Sequence, residues 1–259
     1  MEARNDSIEH VDQFDFWVGP TQLNAQILLP REPKAVVTVA YSGELLGTES
    51  YVYGLARRFR VAGLGTVLVD CMPDTYRGDD YRSPLRQYLP GVLCSRMTGA
   101  LARISSHEAL DAYPLGSLGL GACAGAAIGA AGRYDLADAV VSVGGRPEDA
   151  LELADQVSAP TLVLRDCAKL LEDLPREKPL NAMFTGNHES IQYESAEPPF
   201  IDAQPFSQVT SLAKNWFIDE LAPSPPPTPN LTSTYETQKY GLPPTASLLP
   251  EWHPRRAAR

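Results

Sequence analysis

Leu118-Gly119-Leu120-Gly121-Ala122-Cys123-Ala124-Gly125-Ala126-Ala127 is the stretch on which the reading of this chain turns. The apolar run from Leu115 to Leu120 predicts a buried strand, and the small-residue run from Ala124 to Ala131 predicts the first turns of a helix. Between them stands Gly-x-Cys-x-Gly, with Gly121 and Gly125 two residues to either side of Cys123. That is the spacing of a nucleophile elbow, a sharp strand-to-helix turn. The chemistry demands it. A nucleophile must stand above the sheet on a strained backbone, and its neighbours must be small so that strand and helix can close around it. The amide that follows, here Ala124, must then point at a developing oxyanion from the positive end of the helix.

Two structural readings compete with this one. Gly119-x-Gly121-x-x-x-Gly125 could be a dinucleotide-binding turn. That turn opens the first βαβ unit and is followed by an acidic residue about 20 positions later. Here earlier strands precede it, and the next strand ends in Gly144-Gly145-Arg146 with no acid. The second competitor is a structural thiol, because cysteine without a disulfide is among the most buried residue types.

The 259 residues suffice for one large α/β domain with a full core. A net charge of −10 argues against a nucleic-acid-binding surface, which needs basic patches. Cys71, Cys94, Cys123 and Cys167 show neither C-x-x-C spacing nor clustering with histidine, so neither a metal site nor a disulfide framework is expected. The polar start MEARNDSIEHVDQ lacks an apolar signal core, and no run reaches the ~18–20 apolar residues of a membrane span. The expectation is a cytoplasmic protein without membrane contact and with reduced thiols.

Along the chain, residues 1–13 read as a flexible segment. Phe14–Val18 and Gln22–Pro30 alternate as an antiparallel pair, and Ala35–Ala40 is a buried strand running into Tyr41-Ser42. Thr48–Ala62 has helical spacing and ends in arginines before Gly63. Thr66–Asp70 is the next strand, Asp74–Arg86 a polar loop, and Leu85–Leu110 mainly helix. After the elbow come a strand over Asp138–Val143, a short helix over Glu148–Ala154 and a strand over Ala159–Leu164. Leu180–Phe184 reads as the last strand and Phe206–Leu221 as a closing amphipathic helix. Alternating strands and helices with continuously apolar strands predict an α/β fold, a mostly parallel central sheet with helices on both faces. The α/β domain thus spans 14–221. The proline-dense stretch 222–259 reads as a disordered tail.

A cysteine nucleophile needs a base, and the base an orienting acid, in the chain order nucleophile, acid, histidine. Of the four histidines, His10 and His253 lie near the ends and His107 precedes the elbow. His188, in Thr185-Gly186-Asn187-His188-Glu189, follows the expected last strand and is the candidate base, against the alternative of a solvated loop residue. Asp166, just beyond the Ala159–Leu164 strand, is the candidate acid, against the alternative of an ion pair with Arg165. Glu148 or Asp149 could serve in its place, since the acid only orients and stabilises the imidazolium. The second oxyanion amide would come from Ser42.

On these residues the chain resembles the dienelactone hydrolase family, in particular its bacterial dienelactone-hydrolase-like branch. The resemblance covers about Ala25 to Leu221. It rests on Ala35–Gly43, Leu68-Val69-Asp70, Gly121-Ala122-Cys123-Ala124-Gly125-Ala126-Ala127, and Ala139-Val140-Val141-Ser142-Val143-Gly144-Gly145-Arg146-Pro147. Ala159-Pro160-Thr161-Leu162-Val163-Leu164, Gly186-Asn187-His188 and Asn215-Trp216-Phe217 complete it. The resemblance implies an α/β-hydrolase fold and cofactor-free hydrolysis of a small ester, lactone or thioester by a Cys-His-Asp triad of Cys123, His188 and Asp166. The backbone amides of Ala124 and Ser42 would form the oxyanion hole. The chain departs from the branch in having Tyr41-Ser42 where His-Gly is usual, and a gapless alignment sets Lys169 in the acid's slot. Acyl transfer to an acceptor other than water is a variant within the same reading. The alternative from another class is a catalytically degenerate hydrolase fold kept as a binding or interaction module. A small-molecule substrate is expected, and the sequence carries no signal of oligomeric state.

Overall fold

The computed structural model describes residues 10–42, 48–72, 89–166, 182, 184–193 and 203–221, all within the compact unit Met1–Ala222. The expected loop Asp74–Arg86, the alternative acid position Lys169 and the proline-dense tail lie outside the described residues.

Eight strands form one sheet: β1 (His10–Val18), β2 (Thr21–Leu29), β3 (Ala35–Tyr41), β4 (Leu64–Asp70), β5 (Leu115–Leu120), β6 (Ala139–Val143), β7 (Thr161–Asp166) and β8 (His188–Tyr193). Their order is β1-β2-β4-β3-β5-β6-β7-β8. β1 and β2 pair antiparallel, as does β2 with β4, while β4, β3, β5, β6, β7 and β8 run parallel. The parallel strands β3 to β7 are buried almost throughout, which is why they read as unbroken apolar runs. Among the described residues, four α-helices accompany the sheet: α1 (Thr48–Val61), α2 (Leu89–Ser105), α3 (Ala124–Tyr134) and α4 (Ala203–Leu221).

Two apolar layers sandwich the sheet. One packs α1 and α4 through Val52, Leu55, Phe59, Val209, Ala213 and Phe217 onto Val37, Leu118 and Val141. The rings of Phe59 and Phe217 meet edge to face at 5.9 Å between centroids. The other packs α2 and α3 through Leu93, Met97, Leu101, Ala127 and Ile128 onto Val36, Val67, Val140 and Val163. α3 is mostly alanine and glycine because it is enclosed. A Cβ on Gly129 would lie 2.9 Å from the Cys94 Sγ of α2. One on Gly132 would lie 2.5 Å from the Leu153 carbonyl, in the 3₁₀ segment Pro147–Gln156. Larger side chains would force both neighbours away.

The expected elements up to β7 and the closing helix occur where the sequence puts them, within a few residues at their ends. The last strand does not. Residues 182 and 184 lie outside any strand, and β8 starts at His188. The apolar run Leu180–Phe184 drew the expectation. The sheet instead takes the amphipathic His188-Glu189-Ser190-Ile191-Gln192-Tyr193 as its edge strand, with Tyr193 and Ile191 turned to the α1/α4 layer. An edge strand has one covered face at most, so alternation rather than apolarity marks it.

Candidate active site

In a parallel sheet, ligand-binding groups gather where the strands end, at their carboxyl edge. Here the edge comprises the exits of β3 (Tyr41, Ser42), β4 (Asp70, Cys71), β5 (Gly121 to Cys123), β6 (Gly144, Gly145), β7 (Asp166) and β8 (Tyr193).

β5 leaves the sheet at Leu120 (φ −106°, ψ 131°) and turns through a single 3₁₀ turn, Gly121–Cys123, into α3. The left-handed residue of this turn is Gly121, at φ +57°. Cys123 has φ −86° and ψ 0°, outside the left-handed region, and serves as the N-cap position of α3. The sequence placed the strain on the cysteine, but the structure places it two residues earlier, at a glycine where it costs little. The thiol is fully buried and belongs to the α2/α3 layer, with Ala126 and Ala127. The turn closes tightly against β6. Gly145, also left-handed at φ +57°, faces Gly121 so closely that a Cβ would overlap the Gly121 carbonyl.

The amide expected to hold an oxyanion is committed elsewhere. Ala124 N–H donates to the Gly121 carbonyl and completes the 3₁₀ turn. An amide that closes a turn cannot point at a reacting oxygen above it. Ser42 follows β3 directly and is half-buried; Ala40 pairs with Gly119, so Ser42 stands at the same edge as the elbow.

Asp166 ends β7 at this edge and is buried. Its side-chain direction follows from the strand's alternation. Val163 belongs to the α2/α3 layer, Leu162 and Leu164 to the α1/α4 layer. Arg165 therefore faces the α2/α3 side, where its Nη1 donates to Glu148 Oε1 at 2.5 Å, both side chains almost wholly buried. Asp166 faces the α1/α4 side and pairs in register with Tyr193, which lies on that face too. The two alternative acids are likewise engaged. Glu148 holds Arg165, and Asp149 lies 3.8 Å from the Arg146 guanidinium.

His188 is at the wrong end of the sheet. As the first residue of β8 it pairs with Thr161, the first residue of β7, at the amino edge. Its ring stacks on Phe184 at 5.1 Å between centroids. Of the other described histidines, His10 starts β1, and the tilted His107 ring meets Phe14 of β1, itself four strands across the sheet from β5, at 5.0 Å between centroids. So Cys123 lies at the carboxyl edge on one face, Asp166 at the carboxyl edge on the other, and His188 at the amino edge. Among the described residues the expected triad is not assembled.

Sequence reasoning missed the polar groups that gather on the α1/α4 face of the same edge. Tyr51 of α1, Thr210 of α4 and Tyr193 of β8 are all buried. Burial, with the Tyr193 hydroxyl beside it, pushes the Tyr51 phenol well above its ordinary range. The Tyr193 hydroxyl would lie 3.3 Å from a Cβ on Gly144, at the β6 exit. The signal was faint: isolated hydroxyls inside helical and strand patterns read as surface residues.

No family model matches the chain. Among curated proteins it is 28% identical over 213 residues to a putative phosphoribosyl transferase of Mycobacterium tuberculosis, found in two strains. The match takes in 78% of this chain but 45% of the relative, so the chain spans less than half the length of the curated proteins it matches. Among solved structures, a dienelactone hydrolase from Anabaena variabilis superimposes with a TM-score of 0.72 at 25% identity, over 82% of this chain and 98% of that one. Est1E from Butyrivibrio proteoclasticus gives a TM-score of 0.61 at 9% identity, over 82% and 99% of the two chains. A cold-adapted esterase from an Arctic intertidal metagenomic library gives 0.60 at 14% identity, over 79% and 92%. The first of these neighbours is named a dienelactone hydrolase and the last an esterase, and all three share the fold.

Proposed function

We propose, for a chain whose fold is that of a dienelactone hydrolase-like α/β-hydrolase, that the carboxyl edge of the sheet binds a small molecule without turning it over through Cys123, His188 and Asp166. The register of β8 carries this reading, because it sets His188 against Thr161 instead of beside the elbow. A buried thiol is a poor nucleophile unless a base or a cation holds it as thiolate.

The test is a time course with p-nitrophenyl acetate on wild type, Cys123→Ala and His188→Ala, with intact-protein mass spectrometry in parallel. The expected result is slow acylation at the level of an ordinary thiol and no burst, with the wild-type rate kept in His188→Ala. A burst and an acyl adduct that both vanish in Cys123→Ala would overturn the reading. Small esters, lactones and carboxylates screened by thermal shift then identify the ligand, since binding stabilises the folded state by RT ln(1 + [L]/Kd).

A second reading is favoured by the likeness to the Anabaena dienelactone hydrolase, and by Gly-x-Cys-x-Gly at a strand-to-helix turn. In it the chain hydrolyses a small ester, lactone or thioester. The Cys123 sulfur attacks the carbonyl, a thioester forms as the alcohol or thiol leaves, and water releases the acid. A group other than His188 would then take the proton. The same time course separates the two readings. Phosphoribosyl transfer is in the name of relatives of which this chain spans less than half, so the fold outweighs that name.

A further inference from the structure

We draw no further inference here: the strongest candidate, the buried hydroxyl cluster of Tyr51, Tyr193 and Thr210 on the α1/α4 face of the carboxyl edge, is sealed from solvent by its own packing, and nothing among the described residues shows what would occupy it.

Discussion

Replacing His188 by alanine should change the reactivity of the Cys123 thiol only modestly, and the register says by how much. Leu120 of β5 is level with Val143 of β6, Val143 with Leu164 of β7, and Leu164 with Ile191 of β8. His188 stands three residues before Ile191, about 10 Å back along the strand at ~3.3 Å per residue, and three strands of ~4.8 Å to the side. The two displacements combine to about 17 Å, before the turn carries Cys123 further away. At the effective dielectric of ~20 that suits a buried group, two unit charges at that distance interact by about 1 kcal/mol before salt screening. The thiol's alkylation rate should therefore change by less than about fivefold. The assay is iodoacetamide labelling of the native protein, followed by peptide mapping so that Cys123 is counted apart from Cys71, Cys94 and Cys167. A thiol held by a hydrogen-bonded imidazole would behave otherwise. Losing its partner would slow labelling at neutral pH tenfold or more, because even a 1.4 kcal/mol interaction is a factor of ten. A tenfold loss in His188→Ala, with the fold intact by circular dichroism, would refute the register argument and return His188 to the site.

The buried Arg165–Glu148 pair gives a second expectation: Arg165→Met alone should cost ~3–5 kcal/mol in denaturant unfolding, because it strands the Glu148 carboxylate. The double variant Arg165→Met with Glu148→Leu should recover most of that loss, and a double variant as unstable as the single would sink the idea. Gly145→Ala should destabilise by well over the ~1–2 kcal/mol cost of a left-handed alanine, since its Cβ meets the Gly121 carbonyl. Gly19→Ala, at φ +58° with nothing within 4 Å, supplies the control and should show the backbone cost alone. The raised Tyr51 phenol keeps its proton in the folded state after an unfolded-state tyrosine has lost it, so stability falls as pH rises beyond about 10. Tyr51→Phe should flatten that decline in alkaline unfolding curves, and an unchanged slope would show that Tyr51 does not cause it.

Much of the fold was legible because each parallel strand is buried on both faces. Ala35–Tyr41, Leu64–Asp70, Leu115–Leu120, Ala139–Val143 and Thr161–Asp166 announce themselves as short apolar runs between helical stretches. The glycines around Cys123 announced a tight strand-to-helix turn, and there is one. Burial and spacing are local properties, and a sequence records them directly. Register is not local. Whether His188 follows the last strand or begins it depends on which segment pairs with β7, and that is a choice between an apolar run and an alternating one at an exposed edge. Shifting a strand along its neighbour carries every residue on it to a different height in the sheet. The face taken by Asp166, the left-handed angle at Gly121 and the use of the Ala124 amide inside its own turn are decided in the same way. Each depends on where the backbone goes once its hydrogen bonds are made. Local pattern was enough for a mostly parallel α/β sheet and a cysteine at the turn after β5. Which groups meet at the edge depends on hydrogen-bond pairing between distant segments, because that pairing sets their distances.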